Sequence, residues 1–393
     1  MDFRLTEQHL MLQKVTRDFV TKECLSVERE LQEKDPDWVE LPRDMFLDLR
    51  KKVQQIGLWA IDVPEEFGGA GLDNLSYCLI REEQSKTTIG TAHFSPFWGP
   101  SGNHIFPVLY RASDYIKERY LHPLIRGEKR SGLCQTEADA GSDASAIKTT
   151  ATRKDGQWTI NGAKRFSTLG DRSDFMFVTA ITEPVADRKQ RMDSMRIFAV
   201  DKDTPGLKIN RILRVIRPQY STEIVLDDCK VSEEHCLPEN GYKILAEHLS
   251  KLRLLIAPSC LGRAQRSVDM VLSYVPDRHT FGQPLSSRQA IQWMMVDCAM
   301  DIHLTRLFML ETAWKLDQGM DASQEASMLK VFSTESAFRC VDLCMQCLGG
   351  IGLTKDLPLE RWLRELRVMR ITEGPTEVHK WTIARNILRG WRP

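Results

Sequence analysis

Three stretches with apolar residues at helical spacing, Ile244 to Tyr274, Ser287 to Gln318 and Gln324 to Leu348, follow one another with almost nothing between them. Each is longer than the average helix of a globular protein. A link as short as Asp317-Gln318-Gly319 leaves the next helix no course but back along the one before it. Residues 241–393, from about Gly241 to the end, are therefore expected to form an up-and-down helical bundle.

The rest of the 393 residues divides by the same criterion. Residues 1–130 carry helical periods. They show in Leu5, Leu10, Val15, Phe19 and Val20, in Met45, Phe46, Leu49, Val53 and Ile56 between Leu41 and Trp59, from Asn74 to Lys86 and from Asp114 to Leu124. Residues 131–240 change character. Short apolar runs at Trp158-Thr159-Ile160, Phe175 to Ile181, Arg196 to Val200 and Glu223 to Leu226 are bounded by turn signals at Gly156, Asn161-Gly162 and Pro205-Gly206. They predict a β domain, a small barrel or a sandwich. The order gives an α+β fold that is mainly helical, with an N-terminal helical domain, a middle β domain and a C-terminal bundle.

Charge narrows the function classes. Lys plus Arg is 54 and Asp plus Glu is 54, so no bulk attraction to nucleic acid or to an anionic membrane is expected. No apolar run has the length of a membrane span. The start, Met1-Asp2-Phe3-Arg4, lacks the pattern of a secretory signal. Ten scattered cysteines read as reduced, mostly buried thiols of a cytoplasmic protein.

Five stretches offer chemistry. Glu373 sits between two helical patterns, Leu359 to Arg370 and Val378 to Leu388, and Gly374-Pro375 stops one and starts the other. A carboxylate on such a corner is either a solvated turn residue or a fixed general base. Gln135-Thr136-Glu137-Ala138-Asp139-Ala140-Gly141-Ser142-Asp143 is either a polar turn or a cradle of hydroxyls and N–H groups for an oxygen-rich ligand. Asn161-Gly162 is expected to make a hairpin turn, after which Phe166 and Thr168 share one strand face. Arg278-His279-Thr280-Phe281-Gly282-Gln283-Pro284 interrupts the long helices, with Gln289 just beyond. Gly349-Gly350, after Gln346, ends a helix or lets a ligand approach the backbone. The aromatic cluster His93 to Pro100 reads as pocket lining or as core filling.

These motifs, in this order and ending in Glu373, resemble the acyl-CoA dehydrogenase family over nearly the whole chain, most from Gln135 to Thr168 and from Arg253 to Leu388. The resemblance implies a C-terminal four-helix bundle, FAD as cofactor and a homotetramer or homodimer. By motif, it puts Thr136 and Thr168 on the flavin ring and Phe166 beside it. Ser142 falls near the thioester and the CoA arm, Arg253 near CoA. Arg278, Thr280, Phe281, Gln289, Gln346, Gly349 and Gly350 fall on the FAD diphosphate and adenosine, some of them from a neighbouring subunit. Glu373 falls on the catalytic base, with Thr372 and Gly374 beside the substrate. A family threonine that meets FAD is replaced by Pro375, so that contact passes to Thr376 or Glu377. Other relatives carry the base just before the matching arginine; here that place is Leu252, which takes no proton.

The implied reaction removes an α-proton to Glu373 and a β-hydride to flavin N5 from an acyl-CoA, with electrons passing to an electron-transfer flavoprotein. The backbone N–H of Glu373 and a hydroxyl of FAD serve the thioester oxygen, and the bound acyl chain raises the basicity of Glu373. Alternatives are a carrier-protein thioester, an enoyl reductase, or a non-catalytic FAD binder. Cys340, Cys344 and Cys347 also match the spacing of an iron–sulfur site, but at i, i+4 and i+7 they share one helix face and read as core thiols.

Overall fold

The computed structural model describes residues 4–91, 95, 106–183, 186–216 and 220–392. Of the aromatic cluster at 93–100, all but Ser95 lies outside the described residues.

The first helices begin where their caps dictate. Thr6 accepts from the His9 backbone N–H, and His9 returns the bond, at the head of α1 (Glu7–Phe19). The helix runs on through a π turn at Val20–Cys24 into α2 (Leu25–Lys34). Then come α3 (Arg43–Gln55) and α4 (Asn74–Gln84), the latter capped by Asp73. Every side chain of α4 from Ser76 to Gln84 is buried. Its one face closes the N-terminal core of Phe19, Leu49, Val53 and Ile80, while Cys78 enters the core of the C-terminal bundle.

The middle of the chain is one curled sheet of β1 (Ser131–Cys134), β2 (Thr150–Lys154), β3 (Gln157–Thr168), β4 (Phe175–Ile181), β5 (Met195–Asp201), β6 (Leu207–Arg214) and β7 (Tyr220–Ser232). The strand order is β1-β4-β2-β3-β7-β6, with β5 also on β4. β1 and β4 run parallel; β3 with β7 and β6 with β7 run antiparallel. All seven residues of β4 are buried. Phe175 and Phe177 face the helical side, where they meet Phe106 and Tyr120, and Met176 and Val178 face the interior of the sheet. A strand covered on both faces loses its polar alternation, which is why this run is continuously apolar.

One expected turn is corrected. Asn161-Gly162 lies inside β3. The hairpin turn is Asp155-Gly156, both at positive φ (49° and 76°). Asn161 is used otherwise: its side chain accepts from the Asp228 backbone N–H at 2.8 Å and donates to the Asp228 carboxylate at 3.2 Å, across a register shift between β3 and β7. Gly162 is there for proximity, because a Cβ would lie 2.4 Å from Thr149 Oγ1.

The C-terminal part is α5 (Gly241–Tyr274), α6 (Gln289–Asp317), α7 (Ser323–Leu348), α8 (Leu359–Met369) and α9 (Thr376–Leu388). The three long helices fall within a few residues of their expected ends. Their core is continuous with α8 through Leu359, Trp362 and Leu366. A buried ionic chain ties α5 to α8: Arg263 donates to Glu365 at 2.8 Å, and Arg361 donates both to Glu365 at 3.1 Å and to the Trp38 carbonyl at 2.9 Å. Among the described residues no helix is long and apolar enough to cross a membrane.

Candidate active site

Glu373 stands on the corner between α8 and α9, half-buried. Its φ is +56°, a region that residues with a Cβ seldom occupy, and Gly374 follows at +94°. Strain of this kind persists only where neighbours over-determine it, and here they do. Lys330, fully buried on α7, donates from Nζ to the Gly374 carbonyl at 2.7 Å. His379, buried on α9, holds the Glu373 carbonyl from Nε2 at 3.1 Å. Glu335 of α7 accepts from Arg370 Nε at 2.9 Å and from the Thr376 hydroxyl at 3.0 Å, so both ends of the corner hang on one carboxylate. Gly374 is required, since a Cβ there would meet His379 Nε2 at 3.0 Å.

Arg253 of α5 completes the surroundings. Burial lowers its pKa, and Glu373 is the largest opposing charge acting on it. Its Nε is buried without a protein partner. Thr372 and Glu377 are exposed. Thr376 is buried with its hydroxyl committed to Glu335.

The second group lies at one end of the sheet. The Arg165 backbone N–H donates to the Thr136 carbonyl at 2.7 Å, which joins the 135–143 loop to the end of β3. Lys164 and Glu137 form a buried pair at 2.8 Å beneath it. Burial works against the Glu137 charge, but Lys164, Thr149 and Lys148 outweigh it and hold the carboxyl below its usual range. Above this pair β3 bulges against β7 between Lys164 and Ser167. The bulge puts Phe166 at φ +59° and leaves its ring 53% exposed. Thr168, half-buried, pairs with Ser221 where the β6–β7 connection ends. On that connection Ile216 offers its carbonyl to Arg364 of α8 at 3.3 Å, which links this end of the sheet to the helix that leads into the Glu373 corner.

The third group sits elsewhere. His279–Thr280 and Gln283–Pro284 form a small hairpin between α5 and α6, with Arg288 donating to the Thr280 carbonyl. Arg278 and Gln289 are exposed, and Phe281, at the tip, is 98% exposed. Cys347 Sγ meets Met294 Sδ at 3.5 Å, so the end of α7, with exposed Gln346, Gly349 and Gly350, reaches the same end of the bundle. Neither of those glycines has any atom within 4 Å of where a Cβ would stand. From Lys330 to Leu348 the helix rises roughly 27 Å at 1.5 Å per residue. One chain therefore brings this group together but far from its own Glu373.

Several further residues carry no sequence motif. Lys330 and His379 look like ordinary helix residues, because their partners are backbone carbonyls more than one helix turn away in the chain. Asp187, Arg188, Lys189, Tyr242 and Lys243 line an open cleft of about 470 Å³ beside the start of α5. Ser142 adjoins it, since Arg188 bonds Asp143 at 3.2 Å. The cysteines are all free, and nine of the ten are buried. Cys340 and Cys344 gather with Cys298 of α6, their sulfurs all within 4.8 Å, while Cys347 turns to Met294. The Cys298 thiol and burial push the Cys340 and Cys344 thiols up, so they pack as neutral apolar groups.

The chain matches the family models for the acyl-CoA dehydrogenase N-terminal domain over residues 6–128, the middle domain over 132–229 and the C-terminal domain over 239–388. It is 35% identical to (R)-benzylsuccinyl-CoA dehydrogenase of Thauera aromatica, covering 100% of this chain and 98% of the relative. It is 32% identical to acryloyl-CoA reductase (NADH) of Anaerotignum propionicum, covering 99% and 96%. The structure is similar to butyryl-CoA dehydrogenase of Megasphaera elsdenii, with a TM-score of 0.85, 27% identity and coverage of 99% and 100%.

Proposed function

The chain belongs to the acyl-CoA dehydrogenase family and is an FAD-dependent oxidoreductase acting on an acyl-CoA; from that premise we propose that it removes hydrogen between Cα and Cβ of the thioester, with Glu373 as the base. The observation that carries this reading is the Glu373 corner, a carboxylate held in a left-handed conformation by two side-chain bonds to successive carbonyls.

The residues present suit FAD. A half-exposed phenyl ring at a strained bulge, Phe166, lies on the same end of β3 as Thr168, and the neighbouring Arg165 backbone N–H bonds the Thr136 carbonyl. The Gly349-Gly350 backbone is open to close approach by a diphosphate. When bound, FAD supplies the acceptor for the β-hydride. The chain's own residues do the rest. Glu373 takes the α-proton, a task that needs one fixed direction, and the corner provides it. The backbone N–H of Glu373 serves as a donor to the thioester oxygen, where charge develops as the proton leaves. Arg253 sets a half-buried cation that acts on the Glu373 carboxylate, and by motif it falls near the CoA arm. Thr372 and Gly374 flank the reacting carbons. Ser142 and the neighbouring cleft, with Arg188, Lys189 and Lys243, offer cations to the CoA phosphates.

The far group, Arg278, Thr280, Phe281, Gln289 and Gln346, then serves the FAD of another subunit. An apolar stripe on α6, Trp293, Val296, Met300, Leu304 and Leu307, is exposed in the single chain and supports a homo-oligomer, a tetramer or a dimer. An electron-transfer flavoprotein would be the partner that takes the electrons onward. Ten free thiols suit a reducing compartment, and the cytoplasm is our assignment. A second reading has one favouring observation, the acryloyl-CoA reductase relative: the same groups run in reverse would reduce an enoyl-CoA.

Glu373→Gln tests the central assignment. We expect unchanged FAD content and a loss of about 10³-fold in flavin bleaching by an acyl-CoA that bleaches the unsubstituted protein. An active Gln variant would overturn it. A panel of (R)-benzylsuccinyl-CoA, butyryl-CoA and longer thioesters, with the matching enoyl-CoAs as oxidants, identifies the substrate and the direction.

A further inference from the structure

We propose that Lys330 and His379 are positioning residues for the Glu373 base, pinning the two peptide groups that fix the direction of its carboxylate. This rests on the assignment of Glu373 above and deepens it.

A fully buried lysine ordinarily faces a carboxylate, because an ammonium taken out of water needs a counter-charge. Lys330 instead spends its hydrogen bond on a carbonyl, that of Gly374 at 2.7 Å. Glu335, the carboxylate of its own helix that acts on it, is already bonded to Arg370 and Thr376. His379 does the same from the other side, to the carbonyl of Glu373 at 3.1 Å. The two donors come from different helices, α7 and α9, and grip consecutive peptide groups. With both carbonyls held, Glu373 cannot relax from φ +56° to an ordinary helical turn without breaking one of the bonds.

The charged and titratable groups that act on Lys330 are Arg253 and Cys260 from α5, Glu335 from α7 and Glu373 from the corner itself. Burial draws Lys330 down to about 8, and Arg253 adds to this, while Glu373 opposes it. Burial, with Arg253, draws His379 down to about 4. The imidazole is therefore neutral at pH 7, and its Nε2 carries the proton that the Glu373 carbonyl accepts. The corner is thus held by one buried lysine and one neutral ring.

Lys330→Met, Lys330→Arg, His379→Leu and His379→Gln, each made as FAD-loaded full-length protein, test this. The first readout is hydrogen–deuterium exchange of the 370–377 segment. Lys330→Met and His379→Leu are expected to speed exchange there by about tenfold, with the rest of α7 as protected as before. The second readout is flavin bleaching with (R)-benzylsuccinyl-CoA and butyryl-CoA, protiated and α-deuterated. The bleaching rate is expected to fall about 10- to 100-fold at similar KM and FAD content, with a larger α-deuterium effect, because only proton removal is mis-aimed. Lys330→Arg and His379→Gln keep a donor and are expected to recover much of what the apolar variants lose. If Lys330→Met does not fold, the His379 pair and Lys330→Arg carry the test. Unchanged exchange in the folded apolar variants overturns the proposal, as does bleaching that slows only through lost FAD. An active Glu373→Gln would instead sink the assignment of the base and leave the exchange result standing.

Discussion

His379 shows how much one side chain can carry without any motif to announce it. It is buried, it accompanies the Glu373 carbonyl, and it limits position 374 to glycine. Burial first, and then the Arg253 charge, draw its folded pKa down to about 4 from an ordinary 6.5. Below pH 6.5 the unfolded chain takes up a proton that the folded chain refuses, so stability contributed by the neutral ring is full above 6.5 and is lost as pH falls toward 4. We expect a melting temperature that drops across this window, with a contribution on the order of 3 kcal/mol from this ring. His379→Gln has no such proton to bind, and thermal melts between pH 7 and 4 should show a shallower fall than the parent. An unchanged slope would mean that other groups dominate.

At the scale of elements, two glycines of the sheet illustrate different requirements. Gly156 needs only its positive φ of 76° and meets nothing within 4 Å. Gly162 needs the space, since a Cβ would stand 2.4 Å from Thr149 Oγ1 and 2.8 Å from Thr149 Cα. Gly156→Ala is expected to cost about 1 kcal/mol, a backbone effect. Gly162→Ala is expected to cost about 3 kcal/mol, through β2 and β3 being pushed apart. Denaturant melts of the two variants would rank them, and equal losses would contradict the close approach. The same contrast explains why Asn-Gly misled: the dipeptide is a turn signal by local preference, but a sheet can use it for a bulge and a tight crossing. The three-cysteine spacing is similar. On α7 alone it places three core thiols on one helix face, and packing divides them, with two meeting Cys298 and the third meeting Met294.

For the whole molecule the main fact is the length of the bundle. The motif residues near the start of α6 and the end of α7 sit roughly 27 Å along a helix from the corner that holds Glu373. The proposed second copy would bring the two ends of the bundle to one site. Breaking the α6 stripe with Met300→Glu and Leu304→Glu should give a monomer by light scattering, and FAD content should fall with it. A monomer that keeps its FAD would show that one chain supplies every contact. The buried ionic chain from Arg263 through Glu365 to Arg361 and the Trp38 carbonyl holds α5, α8 and the N-terminal part together, so the corner should survive such dissociation.

The amino-acid sequence by itself determined the order helical, β, helical, the long helices and their short links, and the stretches where polar loops interrupt them. These follow from apolar period and from glycine and proline, which act over a few residues. It also brought Glu373 to notice, because a carboxylate before Gly-Pro between two helices is local chemistry. The tertiary structure alone decided which carbonyls Lys330 and His379 reach, which thiols meet, and that the Arg278 to Gln289 loop lies at the opposite end of the bundle from Glu373. Those outcomes depend on side chains from separate helices arriving at one point, and no spacing along the chain encodes such a meeting.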